Sequence, residues 1–317
     1  MGRSLPQGLL AGRTRADRQR RRAGLRLRDF SITAKTRLRY ESAVARLIPF
    51  LESQPSLVHL DEIVSDWVEY QWAKGEPLTL IADSLSGLHF YWPEVKGTLR
   101  EAWRLFKSWR RIEHPTRAPP LTPLLARAFV ARAVHQGDVL TATLIALGFH
   151  ALLRTGELLA LRYRDIEFDR NCGVLCLHQS KSGLRTGAQE AVAVRDSLTL
   201  QVLDTLVSMR QPSPGDPLWP HSAQAFRSAF KRLCDWFMVD SLQFKPYSLR
   251  RGGATRLLQS GVPLETILVR GRWRSLSVAR LYLEDGLAQL PQLRTALSTQ
   301  KLIHAWANKT PITAFRP

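Results

Sequence analysis

Apolar positions recur at the helical period through the first third of the chain. Tyr40, Val44, Leu47 and Leu51 follow steps of 4, 3 and 4, which is one face of a helix. Leu60, Ile63/Val64 and Trp67, with Trp72 nearby, predict a second helix closed by Gly75. A third fits Leu80–Tyr91, before Pro93. The fourth, over residues 97–112, carries an apolar stripe of Leu99, Trp103 and Phe106, with Trp109 beside it. On its polar side Arg100, Arg104, Lys107 and Arg111 recur at the same period, and four like charges on one stripe repel one another. A phosphate backbone laid against the stripe reverses that cost; a solvated basic face is the plainer alternative.

Pro115, Pro119, Pro120 and Pro123 then interrupt the pattern, as in an extended linker. Two apolar-periodic helices follow, near 123–135 and 138–152. Val174–Leu177 and Ala191–Val194 next read as the arms of a β-hairpin around the turn Ser180–Gly187. Beyond them the helical period resumes to the end, broken at Pro212–Pro220 and Lys245-Pro246. The expectation is a mainly α chain with a small β-sheet or hairpin. Its parts are a basic arm (1–28), a helical domain (29–113), a linker (114–122), a mixed α/β domain (123–290) and a C-terminal helix with its tail (291–317).

Charge changes this picture more than composition does. Hydrophobic residues make up 44% and charged residues 23% of the 317, as in a folded protein. Yet 46 Lys+Arg against 27 Asp+Glu leaves +19, which calls for a polyanionic partner. No window nears the ~18 apolar residues that span a bilayer, so no membrane partner is expected. Residues 1–28 hold nine arginines and one acid, Asp17, and predict a disordered arm: a solvated tail, a DNA-contacting arm or a nuclear-import patch. An Arg-rich but Ser-poor transit peptide fits less well, and neither a signal-peptide core nor an acylation signal is read. Three cysteines, Cys172, Cys176 and Cys234, make neither a disulfide framework nor a closed zinc site, and imply a reducing, intracellular compartment.

No histidine–acid spacing, acid triad or Gly-rich Lys-Ser/Thr loop suggests a metal or a nucleotide triphosphate, so no cofactor is expected. The chemistry lies instead in four segments. They are Arg154-Thr-Gly-Glu157-Leu-Leu-Ala-Leu161, the hairpin turn Gln179-Ser-Lys181-Ser-Gly-Leu-Arg185, Tyr247-Ser-Leu-Arg250-Arg-Gly-Gly-Ala-Thr255, and Gly271-Arg272-Trp273 with Tyr282 nine residues after the Trp. Together, in order and gap, they resemble the signature boxes of the tyrosine recombinase (phage integrase) family over residues 123–290. The wording of the last two boxes resembles recombinases of mobile elements of the DIRS-like kind. The helical region before the linker resembles that family's core-binding domain.

The resemblance implies a site-specific recombinase that breaks and rejoins double-stranded DNA through a 3′-phosphotyrosyl intermediate, without metal or ATP. Tyr282 is then the nucleophile. Arg154 and Arg250 clamp the phosphate, since guanidiniums stay charged and donate paired hydrogen bonds. Lys181, or Arg185 in its place, protonates the leaving oxygen; Trp273 packs on the site and donates its indole N–H. Glu157 orients the first box, and Arg100, Arg104, Lys107 and Arg111 are candidate DNA contacts. Tyr247 stands where the family usually has His, and a phenol shuttles protons poorly at neutral pH. Hence a second reading: a weakened or inactive DNA-binding protein, for which Ala254–Val269 offers a helix-turn-helix pattern. A type IB topoisomerase shares the chemistry but fits the boxes less well. Leu293, Leu297, Leu302/Ile303 and Trp306 predict a final helix detached from the catalytic core. As the family implies, it would dock on a neighbouring copy in a homo-oligomer on DNA, a tetramer, in nucleus or nucleoid; folding back on its own domain is the alternative.

Overall fold

The computed structural model describes residues 14–24, 26, 30–53, 59–114, 117–178, 190–283 and 285–309. The chain divides into two compact units, residues 1–116 and 117–317.

Unit 1 holds helices α1 (Arg15–Arg22), α2 (Ala34–Glu52), α3 (Leu60–Ala73), α4 (Leu78–Tyr91) and α5 (Arg100–Ile112). The first lies inside the arm expected to be disordered. There the Thr14 hydroxyl accepts from the Asp17 N–H, and Asp17 pairs with Arg20 at 3.1 Å, enough local support for one short helix. The other four follow the apolar periods of the sequence. Leu47, Val64, Trp67, Ile81, Leu85, Leu99 and Trp109 close one core, which hides the large Trp67 ring completely. Helix α5 buries Leu99, Ala102 and Trp109 and leaves Arg100, Arg104, Lys107 and Arg111 exposed, as its two stripes require. Arg104 pairs with Glu101 of the preceding turn at 2.6 Å.

Unit 2 is built around α6 (Pro123–His135) and α7 (Val139–His150), whose side chains are apolar nearly all round and accordingly buried. After α7 come α8 (Thr155–Ala160) and an antiparallel sheet of β1 (Ile166–Phe168), β2 (Gly173–Leu177) and β3 (Glu190–Val194), in that spatial order. Leu175 sits opposite Ile166 on one side and Val192 on the other, and Leu175, Leu177, Val192 and Val194 point into the core. Strand β1 escaped the periodicity because three residues cannot display an alternation.

Helices α9 (Ser197–Arg210), α10 (Ala223–Trp236), α11 (Tyr247–Gln259), α12 (Leu264–Gly271), α13 (Leu276–Ala279), α14 (Asp285–Arg294) and α15 (Leu297–Ala307) complete the unit. Helix α11 is the pivot. A Cβ on Gly252 would stand 2.0 Å from the Leu121 carbonyl oxygen, and one on Gly253 would stand 1.9 Å from that of Phe149. The Gly-Gly pair therefore lets α11 wedge between the incoming chain and the end of α7. Leu121 N–H donates to the Ser248 carbonyl at 3.0 Å and Arg251 Nη1 to that of Ala118 at 2.8 Å, which seats it.

The final helix corrects an expectation. It is not detached: α15 packs on α6, with Ile303, Trp306 and Ala307 buried in the unit's own core. Trp306 meets Trp236 edge-on at 5.3 Å, and the Arg132 guanidinium lies over both rings. Two tryptophans and an arginine stem offer a burial that the exposed Leu293 and Leu297 lack.

Candidate active site

Helix α7 ends in a turn where Leu152 takes a left-handed backbone (φ 51), uncommon for a branched side chain. Its carbonyl accepts hydrogen bonds from both Arg250 Nη1 and Arg272 Nη2. Two residues on, Arg154 opens α8 as the N-cap. Its backbone N–H donates to Glu157 Oε2 at 2.9 Å, and its Nη1 donates to Oε1 at 2.5 Å. Glu157, buried, also accepts from Arg272 Nη2, and Arg250 Nη1 stands 4.0 Å away. Three guanidiniums thus surround one carboxylate, for a local excess of positive charge. Burial alone would raise the Glu157 pKa. Arg272, together with the N–H and guanidinium of Arg154, overrides burial and holds it below the ordinary carboxylate value.

Arg250 projects from α11 and is fully buried. Beside its bond to Leu152, Nη2 donates to the Gly271 carbonyl at 2.5 Å. Burial, followed by repulsion from Arg272 and Arg154, lowers its pKa to about 10, which leaves it a cation at neutral pH. Gly271 closes α12, and its lack of a side chain matters. An added Cβ would overlap the Trp273 ring at 2.0 Å, so only glycine lets that indole fold back over the site. Arg272 between them is left-handed (φ 54). Its Nε lies 3.3 Å from Glu190 Oε2 at the start of β3, close enough for ion pairing but without hydrogen-bond alignment.

Two aromatic rings lie over the Arg250 guanidinium: Trp273 at 4.9 Å and Tyr282 at 5.2 Å. The rings of Trp273 and Tyr282 are 4.7 Å apart, and Tyr247 lies 5.6 Å from Tyr282. Tyr282 is half-buried, in the turn that follows α13, where its carbonyl accepts from Thr255 Oγ1 at 3.1 Å. The Tyr247 hydroxyl hydrogen-bonds Tyr282. Its pKa is pushed well above the ordinary phenol value, by burial first and then by that bond and charge repulsion, with Arg250 and Arg251 opposing. Three buried donors, Arg250 Nε, Arg272 Nη1 and Trp273 Nε1, have no acceptor. An oxyanion brought among them would satisfy such groups, whose desolvation otherwise counts against the fold.

The structure therefore brings together Arg154, Glu157, Tyr247, Arg250, Trp273 and Tyr282, from segments up to 128 positions apart in the numbering. Lys181 and Arg185 lie outside the described residues. The residue that sequence reasoning missed is Arg272, named only as part of Gly271-Arg272-Trp273 and given no role. Its signal was a cation directly beside the candidate Trp, at a helix end that needs a left-handed residue. Ala254–Gln259 at the end of α11, the turn through Gly261 (φ 73) and α12 follow one another as helix, turn and helix. Among the described residues no group of three or more His, Cys, Asp or Glu could hold a metal ion, and no helix is long and apolar enough to cross a membrane.

A mainly helical domain with one short antiparallel sheet matches the fold of a tyrosine recombinase catalytic domain. The phage integrase family model matches residues 127–286, just over half of the chain, and the chain belongs to that family. Among solved structures, the fold is shared with the Tn1549 transposon integrase in complex with circular intermediate DNA. That similarity has 16% identity and a TM-score of 0.60, and covers 90% of this chain and 96% of the other. A lambda integrase dimer bound to a COC′ core site is similar at 17% identity and TM-score 0.56, over 81% and 90% of the two chains. XerH recombinase bound to its difH substrate is similar at 15% identity and TM-score 0.52, over 80% and 78%. No curated protein matches the chain.

Proposed function

We propose that the protein breaks and rejoins double-stranded DNA through a covalent bond to Tyr282. The observation that carries this reading is the stacking of Tyr282 over Arg250, inside the cluster that also contains Arg154 and Glu157. The Tyr282 hydroxyl gives its proton to solvent water as its oxygen attacks a backbone phosphorus, the Oη–P bond forms, and the bond from phosphorus to the 5′-oxygen breaks. Arg154 and Arg250 neutralise the charge growing on the non-bridging oxygens, and the orphaned Arg250 Nε and Trp273 N–H have donors to spare for them. The departing 5′-oxygen takes its proton from Lys181, the role the family resemblance gives that residue. Because the phosphotyrosyl ester conserves the bond energy, a second 5′-hydroxyl reseals it, with no call on ATP or metal. Arg250 is covered, so the phosphate enters only as the Tyr282 ring shifts. The exposed cations Arg100, Arg104, Lys107 and Arg111 on α5 serve as backbone contacts. Assembly of several copies on DNA belongs to the same reading, through surfaces other than the apolar stripe that α15 already buries.

A second reading has its own support. Tyr247, in place of an imidazole, has its proton held tightly, which suits binding more than proton transfer. Supercoiled plasmid separates the two. An active recombinase relaxes it and leaves denaturant-resistant protein–DNA adduct that Tyr282→Phe abolishes. Plasmid binding with neither adduct nor relaxation would establish the binding protein instead.

A further inference from the structure

A second concentration of arginines lies beside the first. His150, the last residue of α7, is half-buried, and its Nδ1 faces Arg256 Nη1 at 3.2 Å. An arginine only donates, so Nδ1 is the acceptor. The ring proton is then on Nε2, which lies 3.4 Å from Asp196 Oδ1. Arg270 Nη2 lies 3.5 Å from the His150 carbonyl, just as Arg272 Nη2 reaches the Leu152 carbonyl two residues later. The exposed Arg127 acts on His150 with its charge, and the exposed Arg195 acts on Arg270.

Two guanidiniums, Arg256 of α11 and Arg270 of α12, thus meet His150 directly, with Asp196 against the far side of its ring, while Arg127 of α6 and Arg195 of the segment before α9 add their charge from exposed positions. Asp196 is shared as well: its Oδ1 caps α9 through the Thr199 N–H at 2.9 Å and hydroxyl at 2.7 Å. The balance is four positive charges against one negative. Four separate stretches of chain supply them, so helical spacing does not explain their company. Arg270 and Arg272 flank Gly271 in sequence and rest on the same turn, which makes this cluster contiguous with the Arg154–Glu157 cluster. Unlike Arg250, its outer members stand open to solvent.

We infer that Arg127, Arg195, Arg256 and Arg270, set around His150, form a second phosphate site that grips the DNA backbone next to the phosphate held at Arg154 and Arg250. The inference rests on the DNA-joining reading for its ligand but not on covalent chemistry. Each phosphate contact releases counterions, so removing one lowers the slope of log affinity against log salt by about 1. Anisotropy of a labelled 30-base-pair duplex of arbitrary sequence, followed between about 50 and 200 mM salt, reads that slope. Arg127→Gln/Arg195→Gln, both at exposed positions, lowers it by about 2, as does Arg256→Gln/Arg270→Gln. Arg256→Lys/Arg270→Lys keeps the charge and restores most of the slope, which a purely structural loss of the His150 contacts would not allow. Wild-type slopes in both Gln pairs overturn the site. So does a change confined to inorganic phosphate, measured by calorimetry, which would mark a site for the free anion only. A lowered slope in a protein that forms no Tyr282 adduct leaves this site standing and counts against the enzymatic reading alone.

Discussion

Glu157 is the residue on which the site's charge balance turns. Its buried carboxylate holds the half-buried Arg154 and the nearly covered Arg272, and breaking a buried pair such as Glu157–Arg272 costs on the order of 3–5 kcal/mol. Glu157→Gln should therefore lower stability by that order in urea titrations, and should abolish plasmid relaxation by releasing both arginines. Acid acts on the same carboxylate. Because its folded pKa is depressed, its contribution is present above the ordinary value of 4.5 and is lost as pH falls through the depressed one. His150 adds a second limb. Burial above all, with Arg256, Arg270 and Arg127 and against Asp196, lowers its pKa to about 4 from 6.5. Between those values the unfolded chain binds a proton that the folded chain refuses. Stability is thus complete above pH 6.5 and declines towards pH 4 by at most about 3 kcal/mol. Urea midpoints at pH 7 and 4.5 measure the decline, and His150→Gln flattens it. At this scale the boxes revealed Arg154, Arg250, Trp273 and Tyr282, because motif spacing survives in sequence. They did not reveal Arg272, whose partners Glu157 and Glu190 sit 115 and 82 positions away.

Among the elements, α11 is the least tolerant of change. Gly252→Ala and Gly253→Ala each drive a methyl into a backbone carbonyl that cannot rotate away, and should destabilise by several kcal/mol or prevent folding. Gly156→Ala, in α8, has open space around its new Cβ and should stabilise by about 0.4–1 kcal/mol. Thermal melts of the three variants test the contrast. The α2–α5 and α6–α7 helices were legible because each buries one periodic face or is apolar throughout. The hairpin arms were legible from their short apolar runs on either side of a Gly/Ser/Lys turn. β1 was hidden by its brevity, and α1 by its lack of anything apolar to show. The α14 helix runs through Pro291, where the sequence pattern placed a start.

For the whole molecule, the final helix is held within its own unit. A Trp306 committed to its own unit makes Trp306→Ala a stability variant, costing about 3–5 kcal/mol in the isolated chain. Were the helix traded between neighbours, the melting temperature of the isolated chain would stay put and the DNA-bound assembly would shrink. Calorimetry and sedimentation distinguish these outcomes. The excess of +19 makes a broader claim: affinity for any duplex should fall steeply with salt. Against so hungry a surface, the placement of Tyr282 over Arg250 has a protective effect. Stray nucleotides and buffer anions should therefore bind poorly at that guanidinium, fully buried under an aromatic ring, and a strand held at several points is the ligand expected to lift the roof.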